Sequence, residues 1–294
     1  MIENMTEDQK LYVNELNKLI NQFILRSKKF VEWSAFSYGA ADLLRVSDPN
    51  NKFTYDHEYF NFTKSTKTII SIRSLLKMGH NEDVLILVRS IFENYLSSRY
   101  LNENEEDFNE LTLVNLKLFS KEYVYNSTEN VVRDRNGVLI AERLDPSKFK
   151  LGDDKKYYSL FYDLLSSVGH SNFGISNFYI DDSLGFTINK NNYPVVTRFF
   201  VVFVFTKLFE HIVTVEGEDF YDFREEKLCY QLVKDSLVYQ DKLLVQLIDA
   251  ITKDTANHPN KPKYFNKKMK EMFKAMRKSL REELGSVKKD FLTV

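Results

Sequence analysis

The stretch Asn81-Glu-Asp-Val-Leu-Ile-Leu-Val-Arg-Ser-Ile-Phe-Glu-Asn-Tyr-Leu-Ser-Ser-Arg-Tyr-Leu101 decides the fold class. Its apolar residues Leu85, Val88, Phe92 and Leu96 recur at three- and four-residue intervals, the period of a helix with one buried face. Arg89 and Glu93 stand one turn apart on or beside that face. A charge withdrawn from water is costly unless paired, so this pair needs a reason to be there. Just upstream, Met78-Gly79-His80-Asn81 makes a tight corner, with Gly79 a natural helix stop and Asn81 a natural N-cap. The spacing therefore predicts helices over 55–79 and 81–102 folded back as an antiparallel hairpin.

The same periodicity continues outward. It predicts further helices over 7–33, 105–124, 153–169, 193–215 and 218–253. Asp48-Pro-Asn-Asn51 and His258-Pro-Asn-Lys-Pro262 break the chain. Between 129 and 143 the pattern changes to Val-rich arms around Asn136-Gly137, a strong hairpin signal. A second short hairpin or loop is expected within 173–190. The fold class is mainly α: a helical bundle with a small inserted β-hairpin and a basic C-terminal helix. Three segments result: 1–54, an N-terminal helix and connection; 55–255, the helical core with its hairpin insertion; and 256–294, the basic amphipathic helix.

Composition removes several functional classes. The 41 basic and 42 acidic residues balance, so no global field points to nucleic acid or membrane. A single cysteine, Cys229, excludes an internal disulfide and a cysteine-built zinc cage, and fits a reducing compartment. Residues 1–8 are acidic and lack the regions of a secretory leader, so a cytoplasmic location is expected. The apolar run 194–209 carries Arg198 and Lys207 and reads as a buried central helix in preference to a membrane span.

Two constellations carry chemistry. Residues four apart on a helix face each other, so Arg89 and Glu93 read either as a structural ion pair or as a guanidinium pre-organised for a phosphate or carboxylate. His170, in Leu164-Leu-Ser-Ser-Val-Gly-His170, ends another apolar helix beside Ser166 and Ser167. It reads either as a helix-terminal cap or as the acid–base group of a metal-free reaction, with Asp163 two turns earlier available to orient it. No histidine has a neighbour at metal-ligand spacing, and no phosphate-binding glycine loop or G-x-S-x-G elbow occurs. Neither metal nor cofactor is expected.

Residues 263–289 form a basic amphipathic helix with the apolar stripe Met269, Met272, Phe273, Met276, Leu280 and Leu284. Its other faces include Lys267, Lys270, Lys274 and Arg277. Packing of the stripe on the body is one reading. Contact of the basic face with an anionic polymer such as RNA is a second. Membrane-surface binding is a third, disfavoured because this helix has no tryptophan.

The residues Ile72–Asn81, Val88-Arg-Ser-Ile-Phe-Glu93 and Leu165-Ser-Ser-Val-Gly-His170 resemble an uncharacterised bacterial domain family with an Arg-Ser-x-x-Glu helix and a downstream Ser-x-x-His. That layout is similar to HEPN-like helical domains, and the resemblance covers roughly 55–215. It implies a defence or toxin setting, frequent metal-independent ribonuclease activity and homodimerisation. It would place Arg89, Glu93 and His170 in one site with Ser167 beside the histidine. HEPN ribonucleases present Arg-x4–6-His on one helix, and no arginine precedes His170 at that distance. Arg73 and His80 meet the spacing, but His80 lies in the corner.

The resemblance thus implies an RNA- or nucleotide-directed HEPN-like effector, with metal-independent RNA cleavage as one chemistry open to it and RNA, a nucleotide, a second copy or a defence-system protein as partner. The alternative is a non-catalytic interaction or ligand-sensing module, in which Arg89, Glu93 and His170 form a polar cluster.

Overall fold

The computed structural model describes residues 5–33, 54–103, 123–126, 128–129, 131–142, 155–170, 178–180, 183, 185–188, 193–215, 223–257 and 263–290. Among them are seven helices and three short strands. In chain order these are α1 (Glu7–Trp33), α2 (Thr54–Met78), α3 (Asn81–Glu103), β1 (Tyr123–Asn126), β2 (Val131–Asp134), β3 (Leu139–Glu142), α4 (Lys155–Gly169), α5 (Pro194–Val215), α6 (Phe223–Asn257) and α7 (Lys263–Asp290).

α5 is the hub because it is apolar all round. Every residue from Phe199 to Phe209 is buried, and a helix without a polar face must be enclosed by others. It packs against α1, α2, α3 and α6, and its Phe199 and Phe200 meet Phe273 of α7. α4 lies across α3 and against α7. Ring contacts knit these layers: Phe23 and Phe62 meet Phe205 and Phe209, while Phe92 and Phe161 join α3 to α4. Each such pair adds about 0.5–1.5 kcal/mol beyond the area it buries.

One charge inside this core is matched to carbonyls at helix ends. Arg198, buried within α5, donates to the carbonyls of Leu76 and Pro194 at 3.0 Å each and to Asn17 Oδ1 at 2.9 Å. Leu76 lies in the last turn of α2, where carbonyls lack helical partners and the dipole favours a cation. Burial lowers the Arg198 pKa to about 10. Among the described residues no helix is long and apolar enough to cross a membrane.

The α2–α3 corner follows its glycine. Gly79 has φ 87° and the His80 N–H donates to the Leu75 carbonyl at 3.1 Å, the six-to-one bond of a Schellman stop. The cap position shifts by one residue from the sequence expectation. Val84 N–H donates to the His80 carbonyl, so His80 precedes the helix and Asn81, fully buried, is its first residue.

The small insertion is a three-stranded antiparallel sheet in the order β1-β2-β3, larger than the hairpin expected. Its β2–β3 turn uses Gly137 at φ 80°, with Gly137 N–H bonded to the Asp134 carbonyl and Asp134 N–H to the Val138 carbonyl. This is a type I turn closed by a left-handed glycine. The Asp134 carboxylate accepts from the N–H groups of Asn136 and Val138 at 2.9 and 2.8 Å, stiffening the loop. The helix expected over 105–124 is corrected at its end, where Tyr123 and Val124 belong to β1; residues 104–122 lie outside the described residues. Alternating aromatic and β-branched residues there favour a strand. Of the second hairpin, the described residues include one bridge, Ile180 to Phe186.

Candidate functional site

Arg89 and Glu93 stand at the α3–α4 interface, each side chain partly exposed (25% and 30%). A third residue completes them. Arg89 donates Nε–H to Glu93 Oε1 at 2.9 Å and Nη2–H to the Tyr162 hydroxyl at 2.7 Å, while that hydroxyl donates to Glu93 Oε1 at 3.1 Å. The guanidinium also lies 4.8 Å from the Tyr162 ring centroid. Three groups therefore close a ring between two helices. Burial works against the Arg89 charge, but the bonds to Tyr162 and Glu93 outweigh it and hold its pKa above the ordinary value. Burial and the Glu93 charge raise the Tyr162 pKa, so its hydroxyl keeps its proton and can donate.

Nη1 of Arg89 has no hydrogen-bond partner among the described residues. It lies 3.8 Å from where a Cβ on Gly169 would stand. Gly169 ends α4, and His170 follows it. The packing of α3 on α4 thus sets the Arg89 guanidinium beside the backbone that carries His170. His170 is exposed, its backbone N–H donates to the Ser166 carbonyl, and its imidazole makes no hydrogen bond among the described residues. Asp163 is exposed as well. Ser167 donates its hydroxyl to the Leu164 carbonyl at 2.7 Å within the helix.

A similar arrangement lies ten residues further along α3. Arg99 donates Nε–H to Glu103 at 3.1 Å and Nη1–H to the hydroxyls of Tyr158 and Tyr95 at 3.1 and 3.3 Å. Sequence reasoning missed all three tyrosines. The signal was present: Arg-x3-Glu occurs twice on α3, and Tyr158 and Tyr162 are one turn apart on α4.

The basic residues of α7 divide. Lys274 and Arg277 line a cleft of about 450 Å³ with Ile248, Lys278, Arg281 and Glu282. Lys267 and Lys270 do not line it, the first exposed and the second half-buried. The apolar stripe is in the core, with Met272, Phe273, Met276 and Leu280 at most 1% exposed.

Among the described residues, His80, Glu82 and Asp83 place three metal-type ligand atoms within 4.8 Å of one another. They sit at the N-terminal end of α3, where the helix dipole opposes a cation. Burial raises the Glu82 pKa, which further disfavours a charged ligand.

Residues 58–145 match the model of a family of unknown function, DUF5677. The match includes Arg89, Glu93, most of α2, all of α3 and the sheet, and stops before Tyr162 and His170. No curated protein and no solved structure matches the chain.

Proposed function

We propose that the protein is an RNA- or nucleotide-directed effector that holds a phosphate at Arg89. The observation that carries this reading is the unspent Nη1 edge of a guanidinium whose Nε and Nη2 are fixed by Glu93 and Tyr162. A planar cation oriented in advance loses little entropy on meeting a phosphate oxygen. In the catalytic form of the proposal, His170 takes the proton of an RNA 2′-hydroxyl. That oxygen attacks the adjacent phosphorus, and the 5′-oxygen leaves with a proton returned by the imidazolium or by water. Arg89 stabilises the charge that develops on the phosphorane oxygens. Ser167 stands in the turn that presents His170. The resemblance to HEPN-like domains supplies the rest: metal-independent cleavage, a bacterial defence or toxin setting, a cytoplasmic location and a homodimer.

The second reading, a non-catalytic ligand-sensing module, draws on a different observation. Among the described residues no carboxylate orients the His170 imidazole, and the Ser167 hydroxyl is committed to its own helix.

Incubation of wild type, His170→Ala and Arg89→Ala with RNA in excess chelator separates the two. Cleavage by wild type alone supports the catalytic reading. Cleavage equal in wild type and His170→Ala removes that histidine from the chemistry. RNA or nucleotide binding that depends on Arg89, without cleavage, selects the sensing reading.

A further inference from the structure

α7 is anchored by the face that carries Met272, Phe273, Met276 and Leu280, so the orientation of its other faces is set. On the side toward α6, Arg277 and Arg281 both donate Nε–H to the same oxygen, Oδ1 of Asp241, at 2.7 and 3.1 Å. Burial would raise the Asp241 pKa, but the bonds and charges of the two arginines outweigh it and hold the carboxylate below its usual range. One carboxylate shared by two guanidiniums leaves one positive charge in excess. It also fixes both side chains through Nε, leaving their Nη groups outside that bond.

Lys274 and Lys278 continue the row, Lys278 at 3.7 Å from Glu282. Four cations in and beside the cleft thus face two carboxylates, Glu282 and Asp241, for a net excess of two positive charges. From Lys274 to Arg281 the helix rises about 10 Å at 1.5 Å per residue. Over that length a stacked nucleic-acid strand presents about three charges, at roughly 3.4 Å each. Ile248 of α6 adds an apolar contact to the cleft.

We propose that this α6–α7 cleft is a docking surface for the phosphate backbone of single-stranded RNA. Arginine forks whose Nη groups make no hydrogen bond among the described residues match phosphate oxygens, and cations repeated at each turn suit a regular polyanion. A lipid surface is the poorer occupant, because the apolar residues that would enter a membrane are spent in the core. The inference rests on the RNA-directed reading above but uses residues independent of Arg89.

The test is fluorescence anisotropy of a labelled oligouridylate against salt, with the full chain. Lys274→Glu/Lys278→Glu changes two exposed residues outside the core. It is expected to weaken binding at least tenfold and to reduce the slope of log K against log salt by about 1.4, two contacts at 0.7 each for a single strand. Lys67→Glu/Lys77→Glu, exposed lysines of α2 with the same change in net charge, is expected to bind as wild type does. If the two double variants bind alike, the cleft is not the surface while RNA recognition stands. If wild type binds no RNA, both proposals fall. Binding of phosphatidylserine vesicles or polyglutamate in preference to the oligouridylate likewise overturns this one.

Discussion

The Tyr162 hydroxyl stands 2.7 Å from Arg89 Nη2 and 3.1 Å from Glu93 Oε1, accepting from one and donating to the other. A phenol that bridges both members of an ion pair ties α4 to α3. Tyr162→Phe keeps the ring and removes the bridge. It is expected to lower stability by about 1–2 kcal/mol, since hydrogen bonds to charged groups contribute about 1.5–3 kcal/mol and this site is partly exposed. Thermal unfolding measures that loss. Weakened nucleotide binding in the same variant would show that Arg89 needs the tyrosine to hold its orientation; an unchanged affinity would place Tyr162 outside the site.

Gly169 tests the site from the other side. An added Cβ meets Arg89 Nη1 at 3.8 Å, an ordinary contact. Gly169→Ala is therefore expected to fold with equal or slightly higher stability, by up to about 1 kcal/mol from the helix preference of alanine. Gly169→Leu projects further over Nη1 and is expected to reduce phosphate or RNA binding while circular dichroism stays unchanged. Full binding by the leucine variant would show that ligands do not approach Arg89 there.

Glu210 predicts a pH dependence. Burial and the charge of Glu283 raise its pKa to about 7, against an opposing effect of Lys207. A folded-state value above the unfolded one means the folded chain holds its proton longer. The associated stability is present below about pH 4.5 and is lost as pH rises through 7. Glu210→Gln should remove this component, so that it gains on wild type between pH 5 and 8 in urea unfolding. His57 acts with opposite sign: burial, then the Lys64 charge, lowers its pKa to about 4, so its contribution is lost as pH falls from about 6.5. Parallel profiles for wild type and Glu210→Gln would remove the carboxyl as a source.

Arg198→Met retains bulk but orphans the Leu76 carbonyl and the amide oxygen of Asn17, while the Pro194 carbonyl keeps its place in the α5 ladder. A cost of about 2–4 kcal/mol is expected, because each buried acceptor left unpaired costs about 1–3 kcal/mol and local relaxation recovers part of it. Arg198→Lys should rescue little, since one ammonium cannot span the three acceptors held by the planar fork. Denaturant unfolding distinguishes these outcomes.

The helices were legible because their apolar residues recur with the helical period and Gly79 marks the α2–α3 corner, and the β2–β3 hairpin because Asn136-Gly137 marks its turn. The third strand was hidden: Tyr123-Val-Tyr-Asn126 is too short for period alone to separate it from the helical pattern before it. At the site, Arg89 and Glu93 were visible as charges beside an apolar face. Tyr162 was not, because a tyrosine in an apolar helix reads equally well as core, and only the packing of α4 on α3 turns its hydroxyl toward the pair. The same holds for Asp241. Its role depends on two arginines that come within reach only after α6 and α7 fold together.

The enclosure of α5 also constrains how the chain is made. Translation proceeds at about 5–20 residues per second, so the 47 residues separating the end of α5 from the start of α7 take roughly 2–10 s to add. Throughout that interval Phe199 and Phe200 wait for Phe273, with an oily segment whose enclosure is unfinished. During synthesis this chain offers a holding chaperone a defined window, which closes when the basic helix docks.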